Sequence, residues 1–291
     1  MPTGPGISTA LGDARHRSIN DALARRLGTK RPLIAVHRGT GLGLVPENTV
    51  GAVRGAVLHG ADIVEIDIAR SSDGQFFVFH EGYELRHFGI TARISQLTAT
   101  DVHNLRYSWK GGARGRVEVA VTRLQDMLAV TPDVVLNIDR SWGYWPDVFP
   151  VLAEGAPADR LLIKCPRDAD AIAQLAAYPV AFPTMLRVKS INDLDWALTV
   201  DQVNVVGIEL IVPDRTSGLA DPEIIPRIRD AGLLAWVNAI TLGSGPEYLG
   251  WDDNVSVLEG ADAGWSKLLS IGADVVQTDW PAPLRALRDH T

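Results

Sequence analysis

The chain has 291 residues, 46% of them hydrophobic, and a formal net charge of −7. That length accommodates one α/β barrel with an extension or two small domains, and a diffuse negative balance leaves no electrostatic footprint for nucleic acid or an anionic membrane. The single cysteine, Cys165, excludes an internal disulfide framework and suits a reducing compartment.

Residues 1–17 read as a tail, and Met1–Asn20 holds no apolar run of the kind a secretory signal needs. No apolar stretch reaches the roughly 18 residues of a membrane span, so a cytoplasmic protein is expected. Ser18 is a candidate cap for a helix through Ile19, Leu23 and Leu27 that stops at Gly28. Its single apolar stripe predicts packing on a barrel's exterior or across its floor.

Leu33-Ile34-Ala35-Val36, Ile63-Val64 and Phe76-Phe77-Val78-Phe79 read as buried strands, being short runs of branched and aromatic residues. Between the first two, Asn48-Thr49 can cap a helix that runs to His59-Gly60. Strand, helix, strand implies a parallel pair with a right-handed crossover.

Residues 81–120 hold no barrel-length helix and read as an inserted cap after the second strand. Loops in such a place commonly carry selectivity. The basic residues Arg86, Arg93, Arg106, Lys110, Arg114 and Arg116 suit an anionic substrate or a solvated surface equally. Alternation then resumes, with candidate strands at Val134–Ile138, Leu161–Lys164, Ala181–Leu186, Val205–Leu210, Leu233–Val237 and Asp274–Gln277. Helices are expected near 145–153, 169–177, 192–198, 222–231 and 258–271, with a last one from Pro281; Pro222 and Pro281 suit a first helical turn. A second insertion covers about 241–256. Eight strand–helix units close an α/β barrel. The expected division is a tail and helix over 1–30 and a barrel domain over 31–291.

The polar residues His37, Glu65, Asp67 and His80 fall at or near strand ends, where a parallel barrel collects its chemistry. Glu65 and Asp67, two apart on a strand, point to the same side. Two anions so close need a cation or a proton between them, and an oxygen-only set suits Mg²⁺ or Ca²⁺ better than Zn²⁺.

The series His37-Arg38-Gly39, Pro46-Glu47-Asn48-Thr49, Glu65-Ile66-Asp67, Asp73-Gly74 and His80-Glu81 resembles the glycerophosphodiester phosphodiesterase family. The likeness continues through Ile94-Ser95-Gln96-Leu97-Thr98, Val121-Thr122-Arg123-Leu124, Val135-Leu136-Asn137-Ile138-Asp139 and Thr278-Asp279-Trp280-Pro281, covering roughly Pro32 to Leu287. It implies a TIM (β/α)8 barrel that hydrolyses a glycerophosphodiester or related small phosphodiester, with a divalent ion as cofactor. It further implies His37 and His80 as general base and general acid, and Glu65 and Asp67 as metal ligands.

Arg38 is then placed for a phosphate oxygen. Asp139 stands where the family has a Glu as third metal ligand, and Ser141 where it has a Lys; Lys164, at the end of the next strand, is a candidate replacement. Glu81 replaces the usual Asp beside the second histidine, whose ring it is placed to orient. Glu47 braces the first loop or touches the ligand, and Trp142 and Trp145 cage the ligand or pack beneath the mouth. Glu209, Arg187 and Asn238 end later strands and are candidate pocket residues. His16, His59, His87, His103 and His290 are expected in surface or packing roles.

Two alternatives stand beside this reading. One is phosphodiester cleavage like that of the phospholipase D and sphingomyelinase D toxins, against which the missing signal and disulfides argue. The other is a barrel that binds phosphodiesters without turnover, suggested by the replaced Glu and Lys. The partner in each case is a small-molecule phosphodiester, and no oligomeric state follows from the sequence.

Overall fold

A computed structural model describes residues 11–40, 45–107, 119–242 and 245–290. Eight strands, β1 (Leu33–Val36), β2 (Ile63–Arg70), β3 (Val135–Asp139), β4 (Leu161–Pro166), β5 (Thr184–Val188), β6 (Val205–Leu210), β7 (Leu234–Asn238) and β8 (Val275–Thr278), pair parallel in sequence order. The last returns to the first, with Leu33 opposite Val275 and Val36 opposite Thr278, and the sheet closes into a TIM (β/α)8 barrel.

Both faces of each strand are buried, which is why the strands read as largely apolar runs rather than as strictly alternating ones. Leu33, Ala35, Ile63, Val135, Leu162, Met185, Leu234, Trp236 and Val275 fill the interior. Their neighbours Ile34, Val64, Leu136, Ile163, Ile208, Val237 and Val276 face the helices. Further along the same inward columns, at the carboxyl ends, come Glu65, Asp67, Asn137, Asp139, Lys164, Arg187, Glu209, Asn238 and Gln277. The strand period of two therefore decides which polar residues reach the mouth.

Helix α1 (Arg17–Leu27) crosses the opposite end: Leu11, Leu23 and Leu27 belong to the interior cluster, closing the floor. Asn20 and Asn204 exchange side-chain hydrogen bonds there, at 3.0 and 2.8 Å. Ser18 lies within this helix and does not cap it; Asp13 caps the preceding turn, and Gly28, at φ +65°, ends the helix as expected. Elsewhere the expected cap holds, Thr49 Oγ1 accepting from Ala52 N at the start of α2 (Val50–Leu58).

The helix expected near 145–153 begins at Phe149, because Trp145 precedes a proline and stays extended. Pro222 lies two residues before the helix Ile224–Asp230, whereas Pro281 opens the helix Pro281–His290. The single helix expected over 258–271 is two, Asp253–Glu259 and Trp265–Ser270, broken where Gly260 adopts φ +108°.

After β2 the chain doubles back. Phe76–Val78 runs antiparallel to the end of β2, and Thr122–Arg123 runs antiparallel to that arm. The segment between carries the short helices Glu84–Phe88 and Ala99–Asn104 over a small core of its own, with Phe77, Phe79, Ile94, Val102, Tyr107 and Val121. Lys110, Arg114 and Arg116 lie outside the described residues, as does Gly243. Among the described residues no helix is long and apolar enough to cross a membrane.

Candidate active site

Glu65 and Asp67 on β2 stand beside Asp139 on β3, Asp67 and Asp139 being register partners. One carboxylate oxygen from each lies within 4.8 Å of the others. Glu65 and Asp67 are almost wholly buried. Burial and the Asp67 charge push the Glu65 carboxyl up to about 8, the response of anions crowded without a sufficient counter-charge. Burial acts on Asp139 in the same direction, yet Lys164 and Arg187 hold it below the usual carboxylate range. Three oxygen ligands so arranged suit a hard divalent cation.

The backbone around the triad is tightly specified. Arg38, at φ +54°, donates its main-chain N–H to Glu65 Oε2 at 2.8 Å. Its guanidinium sits 3.0 Å from Asp67 and 2.9 Å from Glu47, beneath the Tyr83 ring. Asn48 clamps Asp67 twice, donating through Nδ2 to the carboxylate at 2.9 Å and accepting the Asp67 main-chain N–H at 3.0 Å. Arg140 approaches the other Asp67 oxygen at 3.2 Å.

The two histidines arrive from different elements. His37 follows β1, and its Nδ1 lies 3.1 Å from Asp279 Oδ1, which leaves Nε2 for the cavity. Burial opposes charge on this ring, but the Asp279 contact and the Glu65 field outweigh it and raise its pKa. His80 follows the antiparallel arm and packs against Tyr83, ring centres 4.3 Å apart and tilted by 36°. Burial is the largest influence on it and lowers its pKa. A single cavity is lined by both histidines, Arg38, the three acids, Arg140, Lys164, Arg187, Glu209, Asn238, Glu247 and Gln277.

The glycerophosphoryl diester phosphodiesterase family profile matches residues 37–181. The chain belongs to that family, whose members are phosphoric diester hydrolases. The glycerophosphodiester phosphodiesterase of Agrobacterium tumefaciens shares 20% identity over 87% of this chain and 99% of its own, with a TM-score of 0.63. That of Thermotoga maritima shares 19% over 89% and 100%, with a TM-score of 0.62. A phosphodiesterase of Oleispira antarctica, solved with its product sn-glycerol-3-phosphate, shares 22% over 89% and 97%, with a TM-score of 0.66. At these identities the likeness is one of fold. The uncharacterised protein YqiK of Bacillus subtilis is 31% identical over 108 residues, 36% of this chain and 44% of that protein's length.

As a member of the glycerophosphoryl diester phosphodiesterase family the chain departs from the expected pattern at three positions, and each departure has a local account. Asp139 still reaches the triad despite its shorter side chain. Ser141 is buried and accepts the Trp145 indole N–H at 3.2 Å, so it turns away from the cavity. Lys164, from the neighbouring strand, puts Nζ 3.4 Å from Asp139 and 2.9 Å from Glu209; burial disfavours its charge, but these two acids more than offset that and raise its pKa. Glu81 does not orient His80: its carboxylate accepts the Ser95 main-chain N–H at 2.9 Å.

Two of the expected ligand-binding residues stand outside the cavity lining. Glu47 is held by Arg38 and lies 3.5 Å from His87 Nε2, and despite burial these contacts bring it down to about 2, so it braces the first loop. Trp142 packs against the outer core and lies under the Arg187 guanidinium at 5.3 Å. Trp145 is core.

Sequence reasoning gave no site role to Asn48, Arg140 or Asp279. For Asp279 a signal was present, because closing a barrel sets the end of the last strand beside the end of the first, where His37 lies. Behind it, the buried Asp253 accepts the Asp279 main-chain N–H, the Thr278 hydroxyl and the Trp265 indole N–H, each at 2.7 Å. Burial pushes Asp253 up to about 7.

Proposed function

We propose that this chain hydrolyses a glycerophosphodiester, or a closely related small phosphodiester, to an alcohol and a phosphomonoester. The observation that carries the reading is the convergence of three carboxylates and two histidines of opposed pKa shift on one cavity. Glu65, Asp67 and Asp139 would hold a divalent cation, Mg²⁺ or Ca²⁺, which would neutralise charge on the phosphoryl oxygens.

The chain's own groups supply the rest. Of His37 and His80, one takes the proton from the attacking hydroxyl and the other delivers a proton to the leaving alkoxide. Asp279 sets the tautomer of His37, so that Nε2 is its working nitrogen. Arg38 and Lys164 bring positive charge to the phosphate, and Lys164 stands in for the cation that Ser141 does not provide. The sn-glycerol-3-phosphate bound by the Oleispira antarctica relative supports a glycerophospho substrate.

The test is product identification after incubation with glycerophosphocholine, glycerophosphoethanolamine and bis(p-nitrophenyl) phosphate. Glycerol phosphate and free choline or ethanolamine are expected. Choline released from a lysolipid while the water-soluble diesters stay intact would favour the phospholipase D type of cleavage, and binding without any turnover would overturn the reading.

A further inference from the structure

The end of β8 is shaped by a residue that the mechanism above does not use. Asp253 is the first residue of the helix Asp253–Glu259, yet that helix is capped by Asp252, whose carboxylate accepts the Val255 main-chain N–H at 2.9 Å. The Asp253 side chain is almost completely buried. Its Oδ1 accepts the Thr278 hydroxyl and the Trp265 indole N–H, and its Oδ2 the Asp279 main-chain N–H, each at 2.7 Å. Its own N–H donates to the carbonyl of Ala239, just past β7, at 2.6 Å. None of these partners belongs to its own helix.

The contact with His37 depends on this anchor. The Asp279 side chain is 37% exposed, so packing alone does not orient its carboxylate. Its main chain does so, because Asp253 accepts the N–H and Thr40 Oγ1 donates to the C=O at 3.2 Å. Thr278 Oγ1, itself tied to Asp253, accepts the Trp280 N–H at 2.8 Å, so one carboxylate sets three consecutive residues. The Asp279 side chain held in this way meets His37 Nδ1 at 3.1 Å. Burying a carboxylate is costly unless its hydrogen bonds are complete, and the helix already has its cap. What the buried Asp253 secures is the Asp279 segment.

We infer that Asp253 is a positioning residue for the reaction, fixing Asp279 and through it the ring orientation of His37. It does not line the cavity and touches no reacting atom. Its effect on rate rests on the phosphodiesterase reading, whereas its hold on His37 rests on the geometry alone. Partners one step behind a working histidine, as known from metal-bound imidazoles, are typically worth roughly 10–100-fold in activity.

The experiment pairs one measurement without substrate with one that uses it. The proton shared by His37 Nδ1 and Asp279 is expected far downfield in the proton NMR spectrum of the wild type, assigned by its loss in His37→Ala. It should broaden or vanish in Asp253→Asn, where one accepting oxygen becomes an NH₂ group that cannot accept. Hydrolysis of glycerophosphocholine with saturating Mg²⁺ or Ca²⁺ is then compared for the wild type, Asp253→Asn, Asp279→Ala and the double variant. Asp253→Asn should lower kcat roughly tenfold or more with KM little changed. In the Asp279→Ala background it should have almost no further effect, because it acts through the lost carboxylate. Trp265→Phe removes one donor to Asp253 while keeping the carboxylate and an aromatic ring, and should lower kcat less, again only while Asp279 is present. A downfield proton absent from the wild type or unchanged in Asp253→Asn, an unchanged kcat, or equal losses with and without the Asp279 carboxylate would overturn the inference. Failure of the wild type to hydrolyse any diester would contradict the phosphodiesterase reading instead, and the NMR comparison would still decide whether Asp253 holds His37.

Discussion

His37 and His80 meet at one cavity from unlike supports, a loop pinned by Asp279 and an arm packed against Tyr83, and their pKa values move in opposite directions. Such divergence is what a paired acid and base require. His37→Ala and His80→Ala are each expected to lower turnover by roughly 10²–10⁴ with the circular dichroism spectrum unchanged; near-normal activity in either would remove that residue from the chemistry. Asp279 raises the His37 pKa, so Asp279→Asn lowers it, and the pH–rate limb belonging to His37 should move to lower pH. An unmoved limb would show that Asp279 does not tune that ring. Asp139→Ala should weaken divalent-ion binding and Asp139→Glu should keep or strengthen it, read by calorimetric titration; unchanged affinity in Asp139→Ala would exclude it as a ligand. Much of this site was legible from residue types, since Glu65 and Asp67 two apart on a strand, with a histidine ending β1, leave few arrangements open. What was not legible depended on contacts between separate elements, as where Asn48 clamps Asp67 and Asp279 holds His37. For Glu47 and Trp142 the sequence left a structural and a ligand-contacting role open, because charge or an aromatic ring near a strand end does not say which way a side chain turns.

At the scale of elements, the eight strands were readable because each is buried on both faces and so is largely apolar up to the polar residues near its carboxyl end. Helix α1 was readable as an amphipathic helix, but its place on the floor follows only from barrel closure, which exposes Leu33, Ile63, Val135 and Leu162 at that end for Leu23 and Leu27 to cover. The helix boundaries that differed did so for local reasons, an extended residue before Pro146 and a positive φ at Gly260. Leu23 is completely buried, and Leu23→Ala should destabilise the protein by about 2–5 kcal/mol, read as a lower denaturation midpoint. Activity per folded molecule should stay near wild type, because the floor is at the far end of the barrel from the mouth. Loss of activity in fully folded Leu23→Ala would show that floor and mouth are coupled.

Across the whole molecule, a net charge of −7 contrasts with the cations Arg38, Arg140, Lys164 and Arg187 gathered around one mouth, each close to a carboxylate or an aromatic face. The mouth thus keeps charges of both signs within a few ångströms, suited to a phosphate and its counter-ion. The central claim is that Glu65, Asp67 and Asp139 hold the divalent ion on which phosphodiester hydrolysis by the two histidines depends. It is tested most directly by stripping the protein with EDTA, removing the chelator, and following glycerophosphocholine cleavage as Mg²⁺ or Ca²⁺ is added back. The account predicts no turnover in the stripped protein and saturable recovery with one of the two ions. Undiminished turnover by metal-free protein would contradict it.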